Sequence, residues 1–326
     1  MPSATALTPL TDQEAAAFAS EFTTIVANVE QFIRGKDAVV RLALTSLLAE
    51  GHLLLEDVPG LGKTSLARAL ASSLGLSGSR IQFTPDLLPS DVTGVTVYHQ
   101  SRGEFEFHPG PIFANIVLAD EINRASPKTQ SALLEVMAER TVTVDGISRP
   151  VDRPFLVIAT QNPIDMDGTF PLPEAQLDRF LMRISVGYPD RLAEESILRS
   201  DHEGHLLTDL AAVADPARVK QLIATARRVH VSESVISYIV ALTESTRNSA
   251  GIRLGASPRG GLGLLAAARV WAAAAGRNYV LPDDVVTLIE PVLIHRLVLA
   301  PEALAEGSSA RVVLRRAIAT VLIPQG

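Results

Sequence analysis

The stretch Asp57-Val58-Pro59-Gly60-Leu61-Gly62-Lys63-Thr64 decides how this chain is read. It follows the apolar run His52-Leu53-Leu54-Leu55 and opens a helical pattern over residues 63–74. The phosphate-loop template is G-x-x-x-x-G-K-[ST], and its context must be a strand before and a helix after. Asp57 stands where the template has its first glycine. Aspartate tolerates left-handed backbone better than most residues, so the turn can survive there. Gly60 and Gly62 let backbone N–H groups close around phosphates, and the helix beginning near Lys63 turns its positive end to them. Lys63 is expected on the β- and γ-phosphates and Thr64 on magnesium. Val58, Pro59, Leu61 and Ser65 complete the expected nucleotide contacts. The plainer alternative is a glycine-rich turn of another α/β protein. The flanking strand and helix favour ATP.

Outward from the loop lie short apolar-rich runs at residues 80–83, 116–119, 155–159 and 184–186, of which 116–119 and 155–159 are apolar at every position. Such runs suit strands covered on both faces, as in a parallel sheet. With helices between them they predict an α/β layered domain. The run at 116–119 ends in Asp120-Glu121, at the sheet edge where such folds bind ligands. Asp120 is expected in the magnesium shell. Glu121 is expected to orient and deprotonate a water. The run at 155–159 ends in Thr160-Gln161-Asn162-Pro163, and the Asn162 amide is placed to align that water or touch the γ-phosphate.

Two stretches alternate instead. Residues 93–107 turn at Ser101-Arg102-Gly103, and residues 141–146 run to Asp145-Gly146; both read as β-hairpins. After Tyr188-Pro189-Asp190 the strand runs stop and helical periodicity takes over, with helices expected at 191–200, 216–229, 232–246, 258–275 and 282–290 and a loop over 248–261. The expected division is therefore 1–189, an α/β core with an N-terminal helical arm, and 190–326, a smaller helical domain.

The composition is that of a globular chain: 47% hydrophobic and 20% charged residues among 326. A net charge of −7 argues against a protein that mainly neutralises nucleic-acid backbones. No cysteine is present, which excludes disulfides and thiol chemistry. The N-terminus lacks a signal-peptide pattern, and the most apolar stretch, 261–276, is short and carries Arg269, so a cytoplasmic location without membrane insertion is expected. His108 reads as a structural turn histidine, and no histidine pair sits at metal-ligand spacing. Phe105 and Phe107 are read as hairpin packing, and His52 as a packing residue.

Five segments together resemble the AAA+ ATPases, and specifically their MoxR family. They are Glu56-Asp57-Val58-Pro59-Gly60-Leu61-Gly62-Lys63-Thr64, Ala119-Asp120-Glu121-Ile122-Asn123-Arg124-Ala125, Lys128-Thr129-Gln130-Ser131-Ala132-Leu133-Leu134-Glu135-Val136-Met137, Ala159-Thr160-Gln161-Asn162-Pro163 and Leu172-Pro173-Glu174-Ala175-Gln176-Leu177-Asp178-Arg179-Phe180. The family's loop looks the same at Asp57. The resemblance is dense over residues 33–188 and looser beyond.

The resemblance implies a three-layer αβα P-loop core with a parallel sheet, followed by an all-α lid. It implies that the two hairpins are the clade's insertions. Asn162 matches sensor 1. Arg179 matches the arginine finger, which would act in a neighbouring subunit's site. Arg259 matches sensor 2 on the lid. Ile33-Arg34-Gly35 lies where such proteins contact adenine, so Ile33 and Gly35 join the expected nucleotide contacts. Arg124 and Arg183 compete with Arg179 as trans-acting cations. Read without the resemblance, Arg179 is a helix arginine paired with Asp178 or Glu174, and Arg259 an exposed arginine after Pro258. The family forms homo-oligomeric rings, usually hexamers, with chaperone-like activity. It often works with partners carrying von Willebrand factor A domains.

The expected function is thus magnesium-dependent ATP hydrolysis that drives remodelling or maturation of a partner protein. The alternatives are a nucleic-acid-remodelling motor of the same superfamily and a nucleotide-gated scaffold without turnover. The acidic charge weighs against the first and the intact Glu121 against the second.

Overall fold

The structure is a computed structural model that describes residues 8–58, 60–162, 168–192, 194–195 and 210–324. Pro59, Pro163 and most of the helix expected over 191–200 lie outside the described residues. The chain forms two compact units, Ile25–Val219, and Met1–Thr24 with Lys220–Gly326. This division differs from the one expected near residue 189.

The elements up to the end of the core are α1 (Asp12–Glu30), α2 (Asp37–Leu48), β1 (Leu53–Glu56), α3 (Lys63–Ser73), β2 (Gly78–Gln82), α4 (Pro89–Thr93), β3 (Gly94–His99), β4 (Glu104–Pro109), β5 (Ile116–Asp120), α5 (Pro127–Glu139), β6 (Thr141–Val144), β7 (Ile147–Pro150), β8 (Leu156–Gln161), α6 (Glu174–Leu177) and β9 (Met182–Ile184). Five strands make one sheet in the order β2-β5-β8-β1-β9, and every neighbouring pair is parallel. Parallel neighbours need crossovers, and helices such as α3 supply them. The all-apolar runs of β1, β5 and β8 are the buried inner strands, whereas β2, at the edge, buries only Ile81. Leu54, Phe83, Val117, Leu133, Phe155 and Phe180 belong to one continuous core. α5 starts at Pro127 behind an N-cap, Ser126, whose hydroxyl accepts from the Thr129 N–H.

Both hairpins form. β3 pairs with β4, and β6 with β7, antiparallel. Asp145 and Gly146 have φ of 53° and 75°, the double left-handed turn that matches strand twist. The last strand is displaced from its expected place at 184–186 to Met182–Ile184. The cause is local: the Val186 N–H is taken by the Asp57 carboxylate and not by a sheet ladder.

Among the described residues the further helices and strands include α7 (Pro216–Ala226), α8 (Glu233–Asn248), β10 (Ile252–Leu254), α9 (Pro258–Ala274), α10 (Pro282–Leu293), β11 (Val298–Leu299), α11 (Pro301–Ala305) and α12 (Ala310–Ile318). Strands do not stop at residue 190, as the sequence pattern suggested. β10 and β11 pair antiparallel within the stretch read as helices and loop. Strands of three and two residues are too short to show alternation. Ile252, Ala303, Val313 and Ala317 pack as a small core beside this pair.

The N-terminal residues join this second unit through Arg228. Its Nη1 and Nη2 donate to the two carboxylate oxygens of Glu14 at 2.8 and 2.9 Å, and its Nε to the Thr8 carbonyl at 2.8 Å. The Arg228 hydrogen bonds, with those of Thr11, hold the Glu14 carboxyl down at about 2. Among the described residues no helix is long and apolar enough to cross a membrane.

Candidate functional site

Because β1, β5 and β8 run parallel, their C-terminal ends open on one edge of the sheet. A cavity of about 390 Å³ lies there, lined by residues 60–65 of the loop, Arg80, Asp120, Glu121, Thr160 and Asn162. Three motifs far apart in the chain are brought by the sheet to one hollow. Gly60 and Gly62 have φ of 85° and 79°. A Cβ at either would meet nothing within 4 Å, so the need for glycine is conformational and the space in front of the loop is open. Gly62 is the N-cap of α3 and offers no side chain to its first-turn N–H groups, which leaves them for a ligand.

Lys63 is partly buried, and its Nζ donates to the Asp57 carbonyl at 2.6 Å. Burial pushes its pKa down, while Asp57, Asp120 and Glu121 act in the opposite sense. Asp57 itself corrects an expectation. It does not take the left-handed conformation supposed for the first template position. It is buried, and its carboxylate accepts from the Ser185 hydroxyl at 2.8 Å, from the Val186 N–H and from the Gly187 N–H at 3.3 Å. The acid ties the exit of β1 to the exit of β9, and so holds the base of the loop.

A hydroxyl organises the acidic pair. Thr160 Oγ1 donates to Asp120 Oδ1 at 2.6 Å and accepts from the Glu121 N–H at 2.8 Å. The other Asp120 oxygen faces Arg80 Nη2 at 2.7 Å, and the same nitrogen lies 2.8 Å from Gln82 Oε1. Glu121 is left-handed, with φ of 55°. Such backbone in a non-glycine residue costs of order 1–3 kcal/mol and marks a position that surroundings impose. Its Oε2 lies 2.9 Å from Arg124 Nε and 3.2 Å from Gln82 Nε2. Asn162 is buried at the same edge.

Arg80, Gln82, Thr160 and Ser185 escaped the sequence reading. Thr160 directly follows the apolar run at 155–159, but its role depends on β8 lying beside β5. Arg80 and Gln82 are polar positions of an edge strand, and nothing along the chain distinguishes them from ordinary exposed ones.

The other expected residues are placed as follows. Ile33 is buried and Gly35 is left-handed, with φ of 71°; neither lines the cavity, and nor does Val58. Arg179 donates through Nη1 to the Leu134 carbonyl at 2.6 Å. Arg124 contacts Glu121, and Arg183 Nη1 lies 3.0 Å from Glu56 Oε2. Arg259 is exposed near the start of α9, in the other compact unit, and its N–H donates to the Ser257 hydroxyl. Val142 and Val151 of the second hairpin are buried, which binds that insertion to the core.

Residues 52–182 match the ATPase family associated with various cellular activities (AAA), and residues 244–317 match the AAA lid domain. The chain is 48% identical over 299 residues to YeaC, an uncharacterised Bacillus subtilis protein, covering 92% of this chain and 93% of that one. It is 44% identical over 310 residues to the chaperone MoxR1 of Mycobacterium tuberculosis, covering 92% and 81%. It is 36% identical over 307 residues to the MoxR protein of Paracoccus denitrificans, covering 86% and 90%. Among solved structures, a chain from Cytophaga hutchinsonii described as a candidate ATPase superposes with a TM-score of 0.89 at 37% identity, covering 96% of this chain and 98% of that one. The parallel-sheet P-loop core, the helical second unit and these relatives together show that the chain belongs to the MoxR family of AAA+ ATPases.

Proposed function

We propose that the chain binds ATP with magnesium in the cavity at the sheet edge, hydrolyses it to ADP and phosphate, and uses the cycle to remodel a partner protein. The observation that carries this reading is that loop residues 60–65, Asp120, Glu121 and Asn162 all line the one cavity.

The residues suit the chemistry. Loop N–H groups and the Lys63 ammonium would bear the charge of the phosphates. The Thr64 hydroxyl and the Asp120 carboxylate are hard oxygen donors and fit magnesium. Bound there, the ion would neutralise phosphate charge. Glu121 would take the proton of the attacking water, and the Asn162 amide would orient that water. Phosphoryl transfer then needs cations around the equatorial oxygens. Arg179 of a neighbouring subunit and Arg259 of the lid are our candidates, which implies a ring, with a hexamer as the family's usual form. The chaperone description of the Mycobacterium tuberculosis relative supports a protein client. A protein carrying a von Willebrand factor A domain is the candidate partner.

Nucleotide binding and phosphate release test it. Lys63→Ala should abolish nucleotide affinity. Glu121→Gln should keep affinity and lose about 10²–10⁴-fold in turnover. Wild-type protein without affinity for any purine triphosphate in the presence of magnesium, or unchanged turnover in Glu121→Gln, would overturn the assignment.

A further inference from the structure

The first hairpin has two unlike faces. Directly opposed residues of an antiparallel pair point the same way, and the register pairs Val95 with His108, Val97 with Glu106 and His99 with Glu104. The opposite face is aromatic: Tyr98 and Phe105 have ring centroids 5.0 Å apart, and Phe107 meets Phe113 at 5.8 Å with the Arg149 guanidinium 3.9 Å from its centre. Phe107 anchors this face, while Tyr98 and Phe105 pack on each other in the open. The other face gathers two imidazoles and two carboxylates.

On that face one ligand atom each from His99, Glu106 and His108 lies within 4.8 Å of the others. The two imidazole centroids are 5.9 Å apart. His99 Nε2 is inaccessible to solvent and has no hydrogen-bond partner, yet it sits 3.0 Å from Glu106 Oε2. If Nε2 carries a proton it can donate to that carboxylate; if it does not, the nitrogen and the oxygen both present lone pairs, and a shared cation satisfies both. Arg102 does not fill that role: its Nη1 is 3.8 Å from the same oxygen and its side chain is largely exposed.

We propose that His99, Glu106 and His108 form a binding site for a divalent transition metal of the zinc class. Two imidazole nitrogens with one carboxylate suit zinc, cobalt or nickel, whereas magnesium and calcium prefer all-oxygen shells. Tetrahedral zinc would need donor atoms roughly 3.3 Å apart, from bonds of about 2.0–2.1 Å. Glu106 and His108 are exposed, so ordinary side-chain rotation closes the remaining gap. Three protein ligands leave a fourth position for water or for a donor from a bound partner. The ion would clip β3 to β4 next to their turn and lock its register. Sequence spacing hides the site, because His99 and His108 lie on different strands. The site does not depend on the nucleotide cavity, and its test can fail while that assignment stands.

The test uses the full chain, stripped of metal with a chelator and titrated with Zn²⁺ by calorimetry in excess Mg²⁺, which fills oxygen-donor sites. Co²⁺ reports ligand geometry by its visible absorption. One ion per chain is expected. The double variant His99→Ala, His108→Ala should weaken binding by at least about tenfold and remove the tetrahedral Co²⁺ spectrum. Glu106→Gln, which changes one charge and almost no shape, should weaken binding likewise and decides the matter if the double variant misfolds. No Zn²⁺ binding by the wild type, or equal binding in Glu106→Gln, would overturn the site.

Discussion

Arg80 Nη2 lies 2.7 Å from Asp120 Oδ2, so the carboxylate expected to face a metal already carries a guanidinium. The Asp120 side chain is mostly buried while Arg80 is half exposed. An ion pair with so exposed a partner is worth about 0.2–1 kcal/mol, and magnesium must compete with it. Arg80→Ala should therefore lower the half-saturating magnesium concentration for ATP turnover by roughly 1.4- to 5-fold. A magnesium titration of phosphate release reads this directly. A higher magnesium requirement in the variant would mean that Arg80 supports the site instead of screening it.

Asp57 accepts from Ser185, Val186 and Gly187, all more than a hundred residues away. Asp57→Gly would restore the phosphate-loop template on paper. It should instead destabilise the core by about 2–4 kcal/mol, because it removes a multiply bonded acceptor and strands the buried Val186 N–H. Urea unfolding of the variant is the measurement. A change under about 0.5 kcal/mol would show that the carboxylate does not anchor the loop.

Arg179 is tied to the Leu134 carbonyl within its own chain. If it also serves a neighbour, Arg179→Ala should retain ATP affinity and lose about 10³-fold or more in turnover. Lys63→Ala should be equally inactive. Mixing the two variants should restore part of the activity, since sites then form that hold an intact Lys63 and a neighbour's intact Arg179. Failure to recover activity at any mixing ratio would point to Arg124, to Arg183 or to a purely structural role.

His52 is buried just before β1 and bridges α5 and β8. Its Nε2 contacts the Met137 carbonyl at 3.0 Å, and its Nδ1 accepts from the Val157 N–H at 3.0 Å. The ring is therefore neutral, with the proton on Nε2. Burial pushes its pKa from 6.5 down to about 4. Between those values the unfolded chain binds a proton that the native state refuses. Stability is then full above the ordinary value and falls as pH drops toward the folded one. The loss reaches on the order of 3 kcal/mol in total. Urea midpoints at about pH 7 and about pH 5 should differ more for the wild type than for His52→Gln. Equal pH slopes would mean that the imidazole titrates normally.

The features legible in the sequence were those carried by residues close together in the chain. The loop 57–64, the acidic pair after a four-residue apolar run, the Asp145-Gly146 turn and the buried inner strands each rest on local periodicity or local backbone demands. What only the tertiary structure decided involves residues brought together by strand order. β1 lies beside β9, so the Asp57 carboxylate reaches residues 185–187 and sets where β9 ends. β8 lies beside β5, so one threonine hydroxyl fixes both acids. β2 takes the sheet edge, which delivers Arg80 and Gln82 to the site. Hairpin register brings His99 to Glu106 and His108. Parallel pairing joins strands separated by whole helices, and no period along the chain encodes which strand becomes whose neighbour.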